Sequence, residues 1–478
     1  MDTNPLGFGH AVGGRVKGRL KGDSAWLFPK SLLIQVFRLH KLGESMKQAR
    51  AAKSSAKTSK VKAKKAAKTK PAAKPKKAEK PAKASSKLKL LREKPKAEEM
   101  GQNLKKILQN PVEPFLKAWK PKNESLEAGI LKCLEDWKVP EREKPQAYVN
   151  IMEKVQAVMR KENLSPAIEE QLAERFSKDR IHKIGSIFSM KPKTCVRLNF
   201  LKADIRGFGE SLAAKDLKIK KSAISPWAFE VGKPEDAIQH PVFERGLIDF
   251  QDEGSQLIAL LSNARPGHRV LDMVAGDGSH ALSMGSMMRN KGSLFIYDAD
   301  GKKLKNFKER AQKAGVDSYR ILTDSQISEV KSLDVVIVEA PSSSLGQIGH
   351  KPDLKVRFNK DELGRIHKLQ AALLREGARK LKLGGYLIYA TTTMNKSENE
   401  GQIEHFLRTS HNSFRLVPMS QYLQDFTIPY MENFFHFKWD AKTLAAMTEA
   451  DPFLFLSPDV HGCQGMFVAV IQRTRIST

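Results

Sequence analysis

From residue 251 onward the chain alternates between two hydrophobic periods, and this alternation restricts its fold more than any other feature. Apolar runs of strand length occur at 268–275, 293–299, 319–323, 333–340 and 386–391. Segments with helical spacing lie at 279–289, 302–314 and 361–382. Such alternation implies a parallel sheet covered on both faces and joined by right-handed crossovers. Two closing runs, 452–456 and 466–471, predict a final strand pair that forms an antiparallel edge.

The first of these strands runs into Asp272-Met273-Val274-Ala275-Gly276-Asp277-Gly278-Ser279-His280. Glycines at a strand-to-helix turn let the backbone approach a ligand closely. Asp298 ends the next strand, where a carboxylate can accept hydrogen bonds from both ribose hydroxyls. Asp324 ends the third and could face an adenine amino group. All three positions fall where ligands bind in open α/β sheets, outside the carboxyl ends of adjacent strands. Gly276-x-Gly278-x-x-Ala281 also fits a dinucleotide fingerprint. The series Asp272, Gly276, Asp298, Asp324 suits better an adenosyl ligand without a pyrophosphate.

Upstream, helical spacing appears at 127–138, 146–162 and 166–178, with Ser165-Pro166 as an N-cap and first-turn pair. A strand-like run at 195–200 and an amphipathic stretch at 208–217 suggest a compact α+β module. Ahead of these, residues 47–97 carry 20 basic and two acidic residues, a net +18 out of the chain's +30. Pro71, Pro75, Pro81 and Pro95 interrupt this Lys/Ala-rich run, which is too poor in apolar groups to offset its ordering entropy. It is expected to be a disordered basic arm that displaces counterions from nucleic-acid phosphates, or else a solvated tail. Residues 1–46 read either as a transit-like leader or as an untranslated segment upstream of a start at Met46. Cys133, Cys195 and Cys463 form no Cys-x-x-Cys pair, which argues against a disulfide scaffold or a cysteine zinc site and suits a reducing, cytoplasmic setting. Cys463 reads as core. No run approaches the ~18 apolar residues of a membrane span.

The segment Phe250-Gln251-Asp252-Glu253-Gly254-Ser255-Gln256 opens a longer resemblance. Val196-Arg197-Leu198-Asn199 precedes it, and the 270–278 loop follows. Further on come Lys351-Pro352-Asp353-Leu354-Lys355-Val356-Arg357, Gln370, Gly384-Gly385-Tyr386, Glu398-Asn399-Glu400 and Gly465-Met466-Phe467-Val468-Ala469. In order and spacing these resemble the RsmB–Nop (Sun) family of RNA (cytosine-5) methyltransferases over residues 190–472. The resemblance implies a class I S-adenosylmethionine-dependent methyltransferase, a Rossmann-like α/β sheet, over 249–474. A helical region (98–190) and an RNA-binding-type module (191–248) would precede it. It also implies S-adenosylmethionine held by Ala275, Gly276, Asp277, Gly278, Ser279, His280, Asp298, Asp324 and Glu339, with RNA, and rRNA in particular, as partner.

The departures from the family fall on its chemistry. Asp-Ala-Pro-Cys-Ser-Gly reads Glu339-Ala340-Pro341-Ser342-Ser343-Ser344, so the second-cysteine position holds Ser342. Thr-Cys-Ser reads Thr391-Thr392-Thr393, so the nucleophile position holds Thr392. Pro-Gly-Gly-Lys reads Asp277-Gly278-Ser279-His280, and a lysine is lost. The family adds a cysteine thiolate to carbon 6 of cytosine to make carbon 5 nucleophilic, and a threonine hydroxyl supplies almost no anion without a base. Two versions of the function stand open. One is a noncatalytic homologue that binds RNA in ribosome assembly, toward which the joint loss of two cysteines and a lysine points. The other is an enzyme that methylates an atom needing no adduct, such as an exocyclic amine. Glu339 either binds substrate or cofactor or is a tolerated acid at a strand end. Lys351, Lys355 and Arg357 are either phosphate contacts or plain surface charges.

Overall fold

The computed structural model describes residues 107–121, 124–203, 208, 216–424 and 439–475. The basic run at 47–97 and the segment 1–46 lie outside the described residues.

The central sheet has the strand order β10-β12-β9-β8-β5-β6-β7, with β11 also paired to β12. Its strands are β5 (Arg269–Asp272), β6 (Ser293–Ile296), β7 (Tyr319–Ile321), β8 (Leu333–Glu339), β9 (Leu381–Thr391), β10 (Phe414–Val417), β11 (Leu454–Leu456) and β12 (Met466–Arg473). Strands β5 to β9 run parallel. The run Leu333-Asp-Val-Val-Ile-Val-Glu339 forms a central strand because both of its faces are buried. Val335 and Ile337 enter one core, and Val336 and Val338 enter the other. The closing pair departs from the expected edge. Strand β12 lies antiparallel to β9 and is itself flanked by β10 and β11, so it is an interior strand. Its six fully covered residues Met466–Ile471 show why: both faces are apolar and both must be packed.

One face of the sheet is covered by α8 (Glu253–Leu261), α9 (Ser279–Met287) and α10 (Phe307–Ala314). On the same side lies a four-stranded antiparallel sheet of order β2-β3-β1-β4. It is built from β1 (Cys195–Leu198), β2 (Lys220–Lys221), β3 (Ala228–Glu230) and β4 (Ile248–Phe250). The other face carries α13 (Leu363–Lys380) and α14 (Glu400–Thr409). Helix α13 buries Leu363, Gln370, Leu374, Gly377 and Ala378, a stripe at helical spacing, against Val336 and Val338 of β8 and Leu387 of β9.

The predicted helix at 166–178 is two helices, α4 (Pro166–Ala173) and α5 (Lys178–Phe188). The break comes from Ser177, whose hydroxyl accepts the amide of Arg180 and starts a new helix. Ser165 takes the N-cap position of α4, but its side chain makes no capping bond. Ile168, Leu172, Ile181, Ile184 and Phe188 of these helices share the core of the sheet's second face. Helices α1 (Val112–Ala118), α2 (Leu126–Asp136) and α3 (Lys144–Lys161) keep a separate core around Phe115, Ile130, Leu134, Ile151 and Val155. Among the described residues no helix is long and apolar enough to cross a membrane.

Candidate functional site

A cleft of about 600 Å³ opens at the carboxyl ends of β5, β6, β8 and β9. Gly276, Asp277, Ser279, His280, Asp298, Glu339, Ser342 and Thr392 line it, so the structure brings most of the expected site residues together. Ala275 and Gly278 belong to the same turn but do not line the cleft. Asp324 departs from expectation. It is exposed at the start of helix α11 (Asp324–Glu329), where its carboxylate accepts a hydrogen bond from the Tyr297 hydroxyl at 3.0 Å, away from the cleft residues.

The turn between β5 and α9 is built for close approach. Gly278 has φ 84°, and a Cβ there would stand 2.1 Å from the Phe307 ring. The Gly276 amide donates to Asp298 Oδ2 at 2.9 Å, and the Asp300 amide donates to Oδ1 at 2.8 Å. Lys303 stands 3.5 Å from the same carboxylate. Each Asp298 oxygen keeps a lone pair for a hydroxyl donor in the cleft, which fits a ribose.

The turn does not fit a pyrophosphate. Asp277 Oδ1 already accepts the Ser279 amide at 3.0 Å, so a carboxylate of this chain fills the anion site at the start of α9. Asp277 is held in turn by Arg310, which donates to Asp277 Oδ2 at 2.5 Å and to Asp249 Oδ2 at 2.6 Å. Arg197 lies 3.9 Å from Asp249. Burial would raise the Asp249 carboxyl, but Arg310 and Arg197 outweigh it and hold it low. This network ties β1 and β4 to the turn between β5 and α9. Sequence reasoning missed it, since Arg310 is 33 residues from Asp277 and 61 from Asp249. The only signal was an acid, Asp277, at a turn position where the resembling family has proline.

Below the turn, Asp272 is fully buried with neither carboxylate oxygen hydrogen-bonded to a described residue. Burial, with Glu339 adding repulsion and His280 opposing, pushes its carboxyl up to about 7. His280 Nδ1 stands 3.7 Å from Glu339 Oε2, so the histidine that replaces the lysine faces two acids. An acid raised in the folded state costs no stability below its unfolded pKa of about 3.9. The cost grows as pH rises and is complete above about 7. Asp272→Asn is therefore expected to gain stability relative to the parent between pH 4 and 8, by up to about 4 kcal/mol. Parallel urea-unfolding free energies across that range would exclude it.

The loops that follow β8 and β9 are stitched together. Buried Glu398 accepts the Ser343 amide at 2.8 Å and the Gln370 side chain at 3.2 Å, and Gln370 also donates to the Pro341 carbonyl. The Ser343 and Thr393 hydroxyls are 2.8 Å apart, and Asn399 accepts from the Thr391 hydroxyl at 2.6 Å. The second of these loops is also held by α4 and its C-terminal end. Gln171 accepts from Asn395 at 2.8 Å, and Arg175 pairs with Glu400. Within this frame Thr392 and Ser342 face the cleft with no base on them. The Thr392 hydroxyl makes no hydrogen bond to a described residue, and the Ser342 hydroxyl accepts the Ser344 amide at 3.3 Å. Ser344 holds φ 58°, a left-handed conformation at a position where the family has glycine. Cys195 lines the cleft and Cys463 sits in the core as expected, but burial raises both thiols, which leaves no thiolate there at neutral pH.

The far wall of the cleft comes from the helical region, through Glu127 of α2 and Tyr148, Met152, Gln156 and Arg160 of α3. Sequence reasoning gave no sign of this, because the contact spans about 200 residues of chain.

The sequence profile described as 16S rRNA methyltransferase RsmB/F matches residues 259–472. A probable ribosomal RNA small subunit methyltransferase B of Bacillus subtilis is 31% identical over 241 residues, 49% of this chain and 54% of the relative. A protein of the same description from Synechocystis is 27% identical over 310 residues, covering 64% and 65%. The chain thus spans between about half and two thirds of these relatives' length. A methyltransferase homologue from Pyrococcus horikoshii superposes with a TM-score of 0.51 at 24% identity, covering 65% of this chain and all of that one. NSun6 from the same organism, solved with SFG, gives 0.54 at 16% identity, covering 65% and 99%. These two likenesses support the class I methyltransferase fold. Motif order, profile and relatives agree on the C-terminal part of the chain: residues 259–472 match the RsmB/F methyltransferase domain of the RsmB–Nop (Sun) family.

Proposed function

We propose that the chain is an S-adenosylmethionine-dependent methyltransferase acting on rRNA in the cytoplasm, by a route without a covalent protein–RNA adduct. The reading gives the sheet (249–474) the methyl donor and the preceding regions (98–190 and 191–248) the RNA. It is carried by one observation. The Gly276–Asp298 turn and the two stitched loops bearing Ser342 and Thr392 open into a single cleft. When bound, the donor supplies an electrophilic methyl group. Asp298 would hold its ribose, and the Gly276–Ser279 turn would fix its orientation. Glu339 and the stitched loops would orient the accepting base and help to exclude water. With no thiolate in the cleft, the acceptor would be an atom whose methylation needs no covalent adduct, such as an exocyclic amine nitrogen.

A noncatalytic RNA-binding role remains as a second reading, favoured by the unactivated hydroxyls of Thr392 and Ser342. The names of the relatives, all methyltransferases, do not favour it over the first. Calorimetry with S-adenosylhomocysteine, followed by transfer of a labelled methyl group to rRNA, separates the two. Asp298→Ala is expected to weaken the homocysteine ligand by at least ~1.5 kcal/mol, roughly tenfold, through lost charge-assisted hydrogen bonds. No heat at millimolar ligand would sink the donor site. Binding without transfer would move the assignment to the second reading.

A further inference from the structure

The three cations of the Lys351–Arg357 stretch have different surroundings, and the difference assigns one of them a ligand. Lys355 donates to the carbonyls of Arg160 at 2.9 Å and Glu162 at 2.6 Å, so it caps the C-terminal end of α3. Arg357 donates to Asp353 at 3.0 Å, four residues back. Lys351 has neither kind of partner. Its side chain is about nine-tenths buried and lines the cleft, yet its ammonium makes no hydrogen bond or ion pair with a described residue. Burial shifts it downward, while Glu127, Asp353 and Glu339 act on it only through space. An unpaired ammonium on a mostly buried side chain is costly and is retained where an anion can complete it.

An enzyme that works on a nucleobase takes that base out of its stack and into a pocket. The phosphates on either side of the extruded nucleotide are then drawn to the mouth of the cleft. Lys351 lines the same cleft as Tyr148, Met152 and Gln156 of α3. The donor's ribose is already provided for at Asp298. We propose that Lys351 is the cleft's phosphate receptor, binding a phosphodiester that flanks the RNA nucleotide turned into the cleft. The proposal rests on the RNA-substrate reading above. Lysine suits the task as a point charge that tolerates several approach directions.

The test compares the full chain with Lys351→Gln, both carrying the same basic run, on a fluorescein-labelled twelve-nucleotide single-stranded RNA over a salt series. Neutralising one phosphate contact should lower the slope of log affinity against log salt by about 0.7. Between 1 M and 50 mM salt that amounts to a relative loss of roughly eightfold. Lys351→Arg should keep the parent slope. Affinity for S-adenosylhomocysteine, measured by calorimetry without RNA, should not change. Lys351→Met keeps the alkyl packing and repeats the neutralisation if melting shows that glutamine disturbs the fold. Parallel RNA slopes for parent and neutral variants would overturn the proposal and leave the RNA reading standing. A weakened S-adenosylhomocysteine with an unchanged slope would overturn it too, by giving Lys351 to the donor's carboxylate. If the parent chain does not bind RNA at all, the RNA reading fails and the proposal fails with it.

Discussion

RNA carrying 5-fluorocytosine is expected to leave this protein without a covalent bond, so that no adduct survives denaturing electrophoresis. The resemblance implies a thiolate that adds to carbon 6, and two positions could have supplied it. One holds Thr392 and the other Ser342. A free thiol with a pKa of about 8.5 is a few per cent thiolate at neutral pH, whereas an aliphatic hydroxyl needs an adjacent base. No base is hydrogen-bonded to Thr392 among the described residues, and Ser342 is engaged in its own turn. Cys195 reaches the cleft but is buried beside Glu253 and Asp252, which raise its thiol further. Removing a covalent nucleophile has cost on the order of a million-fold in turnover elsewhere, so the expected adduct yield is zero on any practical timescale. A denaturant-stable adduct that disappears in Thr392→Ala would overturn both this expectation and the adduct-free reading of the function.

The structure also shows which kinds of residue a single sequence can disclose. Strand β8 was legible almost to the residue because a strand buried on both faces is a continuous apolar run. Strand β10 was not read, since Phe414-Arg415-Leu416-Val417 is four residues long, half-buried and next to a loop. Strand β2 is two exposed lysines, and only its pairing with β3 makes it a strand. In the site, the meeting of Gly276 with Asp298 was legible because it depends on local backbone geometry at strand ends. Asp324 was misplaced by the same logic. An acid at a strand end can turn to the cleft or to a neighbouring side chain, and Tyr297 decided it. Arg310, Asp249 and the α3 wall were invisible because their roles exist only once distant segments meet. Gln370 and Glu398 fall between these cases. Their place in the motif order was visible, while their work of joining the loops after β8 and β9 was not.

Removing residues 1–97 is expected to weaken RNA binding strongly at low salt and much less at high salt. Residues 47–97 hold 20 basic groups against two acids, while residues 98–478 carry a net +8 spread over 381 residues. Each phosphate neutralised adds roughly 0.7 to 0.9 to the slope of log affinity against log salt. Engaging a third of the 20 basic groups would change that slope by about five. The cleft cannot replace such a contribution, because it is lined by only six Lys and Arg residues, and three of these are already paired: Arg357 with Asp353, Lys303 with Asp298 and Lys193 with Glu230. It can retain the structural preference, since phosphate contacts position a protein while base contacts specify its target. Binding of one structured rRNA fragment by the full chain and by residues 98–478 across a salt series measures both effects. Equal slopes for the two proteins would mean that the basic run does not touch RNA. Unequal slopes that meet near 1 M salt would give the run the electrostatic part of binding and leave selection to the cleft.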